Sequence, residues 1–188
     1  MGTRGIVAVI HEGQYKVTKY GQYDHYPEGQ GLDILHWLKH PDRQGDFFTS
    51  RFAQRLENVV PATEKDIQDA VSEVTGDPLQ NGFTPKQADR YKALYPNFSI
   101  GTGAKILDVI WDAPLFDSLP IDMYEMSRVE RWEIEGIYTI DLDARLFISD
   151  WHGDVMAWSL DALPDYATYL AYWKESEEAE TLYEAVSQ

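Results

Sequence analysis

The chain has no cysteine, no long apolar run and few basic residues. Without cysteine it forms no disulfide, offers no thiolate to a metal and has no cysteine nucleophile. No apolar run reaches the roughly 18 residues that a membrane-spanning helix needs, and the opening MGTRGIVAVI is too short and too glycine-rich for a signal-peptide core. We therefore expect a soluble, unexported, cytoplasmic protein with no membrane partner.

Basic residues are outnumbered, with 16 Lys and Arg against 32 Asp and Glu, and the net charge is −16. The first sixty residues hold seven of each sign, so the nine basic and 25 acidic residues of 61–188 carry the whole excess. Proteins that bind nucleic acid neutralise phosphates with Lys and Arg, so direct DNA or RNA binding is not expected. Two interpretations remain: an acidic surface that serves solubility alone, or one that meets a basic protein partner.

Apolar and turn patterns predict a β-hairpin followed by helices. The apolar run Ile6–Ile10 and the alternating stretch 14–20 flank the turn residues His-Glu-Gly, as in a hairpin. Apolar residues with helical spacing, bounded by capping residues, Gly or Pro, then predict five helices. These helices are expected over residues 32–38, 47–61, 63–76, 85–95 and 103–111.

The pattern changes to strands after residue 130. Residues 132–142 alternate between apolar and polar, 145–149 and 155–160 predict two further strands, and a Glu-rich amphipathic helix runs from Pro164 through Leu182 and Val186. With 44% hydrophobic residues, the chain is long enough for a single domain over 1–188. We predict an α+β fold in which the hairpin joins the C-terminal antiparallel meander in one mixed sheet layered with helices.

The stretch after the hairpin is rich in tyrosine and glycine. Tyr20, Tyr23 and Tyr26 bring three phenols close to the pair Asp24-His25. Aromatic side chains with a few convergent polar groups are typical of a small-molecule or peptide pocket. Tyrosines that anchor a loop at the surface would give the same pattern, so both interpretations stay open.

The opening MGTRG, a short hairpin and then YGQYDHYPEGQGLDIL resemble an uncharacterised group of small proteins from bacteria, phages and fungi. Members of that group share the opening and a Tyr-rich segment of the form Asp-x-Tyr-Pro-x-Gly-x-Gly. The resemblance covers about the first forty residues. It implies no established activity.

The same opening is similar to N-terminal nucleophile hydrolases of the penicillin and bile-acid acylase kind, in which removal of Met exposes Cys-Thr-Arg. The resemblance implies that Arg4 matches the arginine that assists the nucleophile and that Asp24 matches the aspartate that contacts its amine. Gly2 stands in place of the nucleophile and has no side chain to attack a carbonyl. Thr3 would serve only if two residues were removed. The resemblance thus implies a scaffold that lacks the reaction and keeps its pocket for binding.

The sequence contains only weak indications of a metal site or a phosphate site. His36 and His40 lie four residues apart on one face of a predicted helix, with Asp33 or His25 as a third ligand. Histidines near a helix C-terminus also complement the helix dipole. The segment Gly101–Lys105 is similar to a phosphate-binding turn but lacks the pattern GxxxxGK[ST]. We expect no metal and no cofactor.

Two functional hypotheses follow. The first, which we favour because no nucleophile or metal set is visible, is a non-enzymatic acidic binding or inhibitory protein, such as a phage-type antagonist of a host nucleic-acid-binding or defence protein. The second is a hydrolase or transferase whose pocket is formed by the hairpin and the Tyr-rich loop, and a small-molecule ligand is compatible with either. The candidate binding residues are Thr3, Arg4, Tyr20, Tyr23, Asp24, His25 and Tyr26.

Overall fold

The computed structural model describes residues 2–80, 82–130 and 133–174. The strands are Gly5–His11 (β1), Gln14–Gly21 (β2), Val59–Pro61 (β3), Leu119–Ile121 (β4), Gly136–Asp141 (β5), Leu146–Trp151 (β6) and Asp154–Ser159 (β7). The α-helices are Leu32–Leu38 (α1), Gly45–Leu56 (α2), Glu64–Thr75 (α3), Pro85–Leu94 (α4) and Ile106–Asp112 (α5). Residues 166–174 are also helical and are called the closing helix.

The main sheet has five strands in the order β2-β1-β5-β6-β7. β1 runs parallel to β5, whereas the other neighbours are antiparallel, so the sheet is mixed. The tight turn between β1 and β2 places Glu12 and Gly13 at positive φ, and their N–H groups donate to the Asp143 carboxylate of the β5–β6 turn. The predicted α+β fold, with the hairpin joined to the C-terminal meander, is confirmed.

The two faces of the sheet are covered differently. Val7, Val9 and Ile140 point from one face into the main core, which α1, α2, α5 and the closing helix complete. The other face carries a smaller cluster around Ile6 and Ile137, packed under residues 124–129 and 134. Both faces are therefore buried near the middle of the sheet, which explains the nearly unbroken apolar run of β1.

Helices α3 and α4 form a satellite beside the sheet, with an apolar cluster of their own. Each begins with a reciprocal capping box, built by Thr63 with Asp66 in α3 and by Thr84 with Gln87 in α4. Gly76 ends α3 in the left-handed conformation, as its sequence predicts. The capping residues thus correctly predicted the starts of α3 and α4 and the end of α3.

Several element boundaries differ from the prediction, most clearly the end of one helix and the start of one strand. The helix predicted over 47–61 ends at Leu56, and β3 follows it in a small parallel sheet with β4, because the β-branched pair before Pro61 favours extended backbone. The strand predicted from residue 132 begins at Gly136, and residue 132 lies outside the described part. The structure describes residues only to 174 in this region, so Leu182 and Val186 of the predicted helix lie outside the described residues. Among the described helices, none combines the length and apolar character needed to cross a membrane.

Candidate functional site

A buried histidine fixes the Tyr-rich loop to one end of the sheet. Gly21, Gly5 and Gly136 stand opposite one another on β2, β1 and β5, and His25 lies against this row with no exposed surface. A Cβ atom added at Gly21 would lie 2.1 Å from Nε2 of the ring, and one added at Gly5 would lie 2.4 Å from Nδ1. One added at Gly136 would lie 2.2 Å from the carbonyl oxygen of His25. The glycines are therefore needed to seat this residue.

The surroundings of His25 keep its ring neutral. The Tyr138 hydroxyl donates to the carbonyl oxygen of His25 at 2.8 Å, and the two rings stack with their centroids 6.5 Å apart. Neither ring nitrogen has a hydrogen-bond partner in the described part of the chain. Burial lowers the pKa of His25 to about 4, although the Asp24 carboxylate opposes this shift. His25 therefore anchors the loop and lies beneath the surface that a ligand would reach.

The loop on either side of His25 is held by its own backbone. Asp24 has a positive φ of 59°, and its carbonyl oxygen accepts from the N–H of Gln30 at 2.8 Å. The Tyr26 hydroxyl donates to Oδ1 of Asp24 at 3.3 Å, and the nearby carboxylate raises the pKa of Tyr26. A short π-helical turn, Pro27–Gly31, then leads into α1. The conformation holds Tyr23, Asp24 and Tyr26 at the surface.

Two adjoining cavities lie beside this loop. The first, here called the polar cleft, has a volume of about 410 Å³. Its lining consists of Tyr23, Asp24, Gln30, Asp33, Lys92, Gly101, Thr102 and Lys105. The second, here called the apolar groove, has a volume of about 480 Å³. Its lining consists of Tyr23, Ile67, Val71, Phe83, Ala88, Asp89, Tyr91, Lys92, Phe98, Ser99, Ile100 and Gly101. Tyr23, Lys92 and Gly101 line both cavities, so the two cavities adjoin one another at these residues.

The floor of the apolar groove is tied to the sheet by a buried lysine. Nζ of Lys19, on β2, donates to the carbonyl oxygens of Phe98 at 3.1 Å and Asp122 at 3.4 Å. Burial lowers the pKa of Lys19, and the Asp122 carboxylate opposes the shift. On the loop side, the N–H of Gln22 donates to the carbonyl oxygen of Ile100 at 3.1 Å. These bonds fix the position of segment 98–101 relative to the Tyr-rich loop.

The segment Gly101–Lys105 lines the polar cleft, but its helix start is already occupied. The N–H of Ala104 donates to the side-chain oxygen of Gln30, and the Thr102 hydroxyl donates to the carbonyl oxygen of Pro96 at 2.6 Å. A phosphate would have to displace Gln30 from Ala104. The similarity to a phosphate-binding turn therefore does not extend to the geometry.

The remaining candidate residues do not gather in one pocket. Tyr23 and Asp24 line the cavities, whereas Tyr20 stacks on Tyr124 over the other face of the sheet, with ring centroids 5.8 Å apart. Arg4 bonds through its backbone to residues 135 and 136, and its guanidinium lies near enough to Tyr20 to oppose the rise in that phenol's pKa that burial causes. Thr3 is half-buried beside it in the chain. The pocket expected between the hairpin and the loop is therefore split between two faces.

His36 and His40, the weak candidates for a metal pair, form hydrogen bonds within the protein. Nδ1 of His36 bonds the Tyr166 hydroxyl at 2.9 Å, and Nδ1 of His40 accepts from the N–H of Asp42 at 3.3 Å. In residues 2–80, 82–130 and 133–174, no group of three or more His, Cys, Asp or Glu side chains is arranged to hold a metal ion. Among the described residues that line the two cavities there is also no histidine to act as a base.

Sequence reasoning missed most of the cavity lining. The apolar residues of α3 and α4 carry only the spacing of a helix, Lys105 belongs to the segment that is similar to a phosphate-binding turn, and Lys92 carries no distinguishing pattern. Comparison of the chain with protein-family models, with curated proteins and with solved structures found no match. The two resemblances drawn from the opening residues therefore stay predictions.

Proposed function

We propose that this chain is a non-enzymatic acidic binding protein that inhibits a basic protein partner by occupying the surface on which the partner holds nucleic acid, as a phage-type antagonist would. The observation that carries the proposal is the partition of charge. Residues 1–100 hold 11 basic and 13 acidic residues, a net charge of −2, whereas residues 101–188 hold five basic and 19 acidic residues, a net charge of −14. The second half of the chain therefore supplies the electrostatic attraction.

In the fold, residues 101–188 include β5, β6 and β7, residues 124–129 that pack over the second face of the sheet, and the closing helix. Many of its carboxylates are exposed. They include Asp112, Asp117, Glu125, Glu130, Asp143, Asp154, Asp161 and Asp165. Some are engaged locally, as Glu125 is with Arg128 and Asp161 with Arg145, but five basic residues are too few to neutralise 19 acidic ones. An excess of negative charge remains on residues 101–188, and it steers a basic partner toward these residues.

The absence of a catalytic set among the described lining residues supports binding over turnover. The hydroxyl of Thr102 is committed to a backbone oxygen, and Oγ of Ser99 accepts from the N–H of Gly101 at 3.2 Å. Neither has a histidine beside it in the described lining. Neither of these two hydroxyls is therefore paired with a histidine as its general base in the described lining.

The test uses purified basic DNA- and RNA-binding proteins, each loaded with a fluorescent duplex or single strand. The chain is titrated in, and release of the nucleic acid is followed by anisotropy. We expect release from at least one member of the panel. We also expect direct binding to that member, measured without nucleic acid, to weaken at least about tenfold between 50 and 300 mM salt, because the Debye length that screens exposed charges shortens from about 14 Å to about 6 Å over this range.

Two matched triple variants separate a specific surface from general acidity. Asp112→Asn, Asp117→Asn and Glu133→Gln neutralise the second half, whereas Glu28→Gln, Asp42→Asn and Glu64→Gln neutralise the first, and each set changes the net charge from −16 to −13. The first set should weaken binding several-fold more than the second. Equal effects, salt-independent binding, or no release across the panel would contradict the proposal.

A further inference from the structure

Charged side chains of both signs line the polar cleft without pairing with one another. Asp24, Asp33, Lys92 and Lys105 are all exposed there. Across the described residues no ion pair joins any two of them, although the neighbouring Arg43 and Asp108 do pair, at 2.9 Å. Within the described part of the chain, the Asp24 carboxylate accepts only the bond from the Tyr26 hydroxyl, at 3.3 Å. The cleft thus presents two carboxylates and two ammonium groups whose charges remain available to a ligand.

Lys92 stands where the polar cleft meets the apolar groove. A Cβ atom added at Gly101 would lie 3.5 Å from Cδ and 3.6 Å from Nζ of Lys92, so this lysine extends over the glycine. Beyond it, Tyr91 and Phe98 are each only 7% exposed and form the floor of the groove. Phe83 and Ile100 are 36% and 43% exposed at its sides. A ligand that reaches from one cavity to the other passes this ammonium group.

The size of the cavities limits the class of ligand. Volumes of about 410 and 480 Å³ each lie within the range of roughly 300–1,000 Å³ found for small-molecule sites. The lining also has the usual composition of such sites, in which an apolar wall fixes the body of the ligand and a few polar groups fix its orientation. A simple anion would meet Asp24 and Asp33, and a simple cation would meet the two lysines. A ligand with both charges avoids either repulsion.

We propose that the polar cleft and the apolar groove together bind a small zwitterion, namely a free amino acid or short peptide with an apolar side chain. Its ammonium group pairs with the carboxylates of Asp24 and Asp33, and its carboxylate pairs with Lys92 and Lys105. Its side chain passes over Gly101 into the groove between α3 and α4. This site lies in the nearly neutral first half of the chain and at the start of α5, and it does not depend on the basic partner proposed above.

The experiment compares four forms of one ligand. The protein is labelled at its Ile and Val methyl groups and titrated with phenylalanine, its N-acetyl derivative, its amide and the doubly blocked compound. With phenylalanine we expect shifts of the methyl signals of Ile67, Val71 and Ile100, whereas those of Val9 and Ile140 in the main core stay in place. Each singly blocked form should bind about two- to fivefold more weakly, as expected for the loss of one exposed ion pair, and the doubly blocked form more weakly still.

Matched variants test the residues assigned to each charge. Lys92→Gln should weaken phenylalanine binding and reduce the difference in affinity between the free acid and its amide, because only Lys105 then remains to pair with the carboxylate. Lys86→Gln, on the same helix outside the lining, should change neither quantity. Asp33→Asn should likewise reduce the difference in affinity between the free amine and its N-acetyl form, because only Asp24 remains, with Asp42→Asn as its control. Unchanged core methyl signals show that each variant is folded.

Three results would overturn the proposal. These are equal affinity for free and blocked forms, equal effects of the lining and control variants, and no shift of the groove methyl signals at phenylalanine concentrations up to about 10 mM. Because the titration contains no protein partner, its failure leaves the proposal of an acidic antagonist unchanged. Failure of the release assay likewise leaves the ligand site standing.

Discussion

The buried histidine makes the stability of this protein depend on pH in a defined way. The folded structure holds the pKa of His25 at about 4, against 6.5 for an ordinary histidine. Each pKa unit corresponds to about 1.4 kcal/mol, so the difference amounts to about 3 kcal/mol. Between pH 6.5 and 4 the unfolded chain binds a proton at this position and the folded chain does not. The free energy of unfolding therefore falls as the pH is lowered through this window, by up to about 1.4 kcal/mol per pH unit, and His25 causes no further loss below pH 4.

Replacing His25 with a side chain of similar shape that does not titrate isolates this effect. His25→Phe keeps an aromatic ring on the glycine row and removes the proton. Its folded ring has to fit the same narrow space, so its stability at pH 7.5 need not equal that of the wild type. The quantity to compare is the loss of stability on acidification. We expect the wild type to lose about 3 kcal/mol more than the variant between pH 7.5 and 4.

The assay is urea unfolding followed by tryptophan fluorescence at half-unit steps of pH. Carboxylates whose pKa is lowered by hydrogen bonds or an ion pair, such as Asp143 and Asp161, also destabilise the protein on acidification, but chiefly below pH 4 and equally in both proteins. The difference between the two profiles therefore reports His25. Parallel profiles from pH 7.5 to 4 would refute the argument, because they would mean that the ring is protonated in the folded state as readily as in the unfolded one.

Three further predictions use the same unfolding assay at pH 7.5. Gly21→Ala should lower the free energy of unfolding by about 2 kcal/mol or more, since its methyl group would overlap the His25 ring, whereas Gly101→Ala, with no neighbour nearer than 3.5 Å, should change it little. Thr63→Ala should cost about 1 kcal/mol through loss of the α3 capping box, and a change below a few tenths would contradict that role. Tyr138→Phe should cost about 1–3 kcal/mol because the carbonyl oxygen of His25 loses its buried donor, and a neutral result would show that another group replaces it.

The sequence predicts secondary structure well where neighbouring residues alone determine the backbone conformation. Thr63 followed by Asp66, and Thr84 followed by Pro85, mark helix starts that the structure confirms, because capping is settled within one turn. The hairpin and the meander were predictable from alternation and turn residues for the same reason. The pairing of β3 with β4 was not, since each strand has three residues and their partners lie some sixty positions apart in the chain.

The candidate site shows why binding residues are harder to predict than elements. The repeated tyrosines and glycines of the loop mark residues 20–31 as a candidate site, but the sequence alone does not show which tyrosine faces which cavity. The buried position of His25 requires Gly5, Gly21 and Gly136 to lie side by side. Their alignment depends on both the antiparallel β1–β2 register and the parallel β1–β5 register. Each glycine alone is compatible with a turn. Only the pairing of residue 136 with residue 5 shows that the three glycines together make room for His25. Long-range packing also brings α3 and α4 against the loop to form the groove.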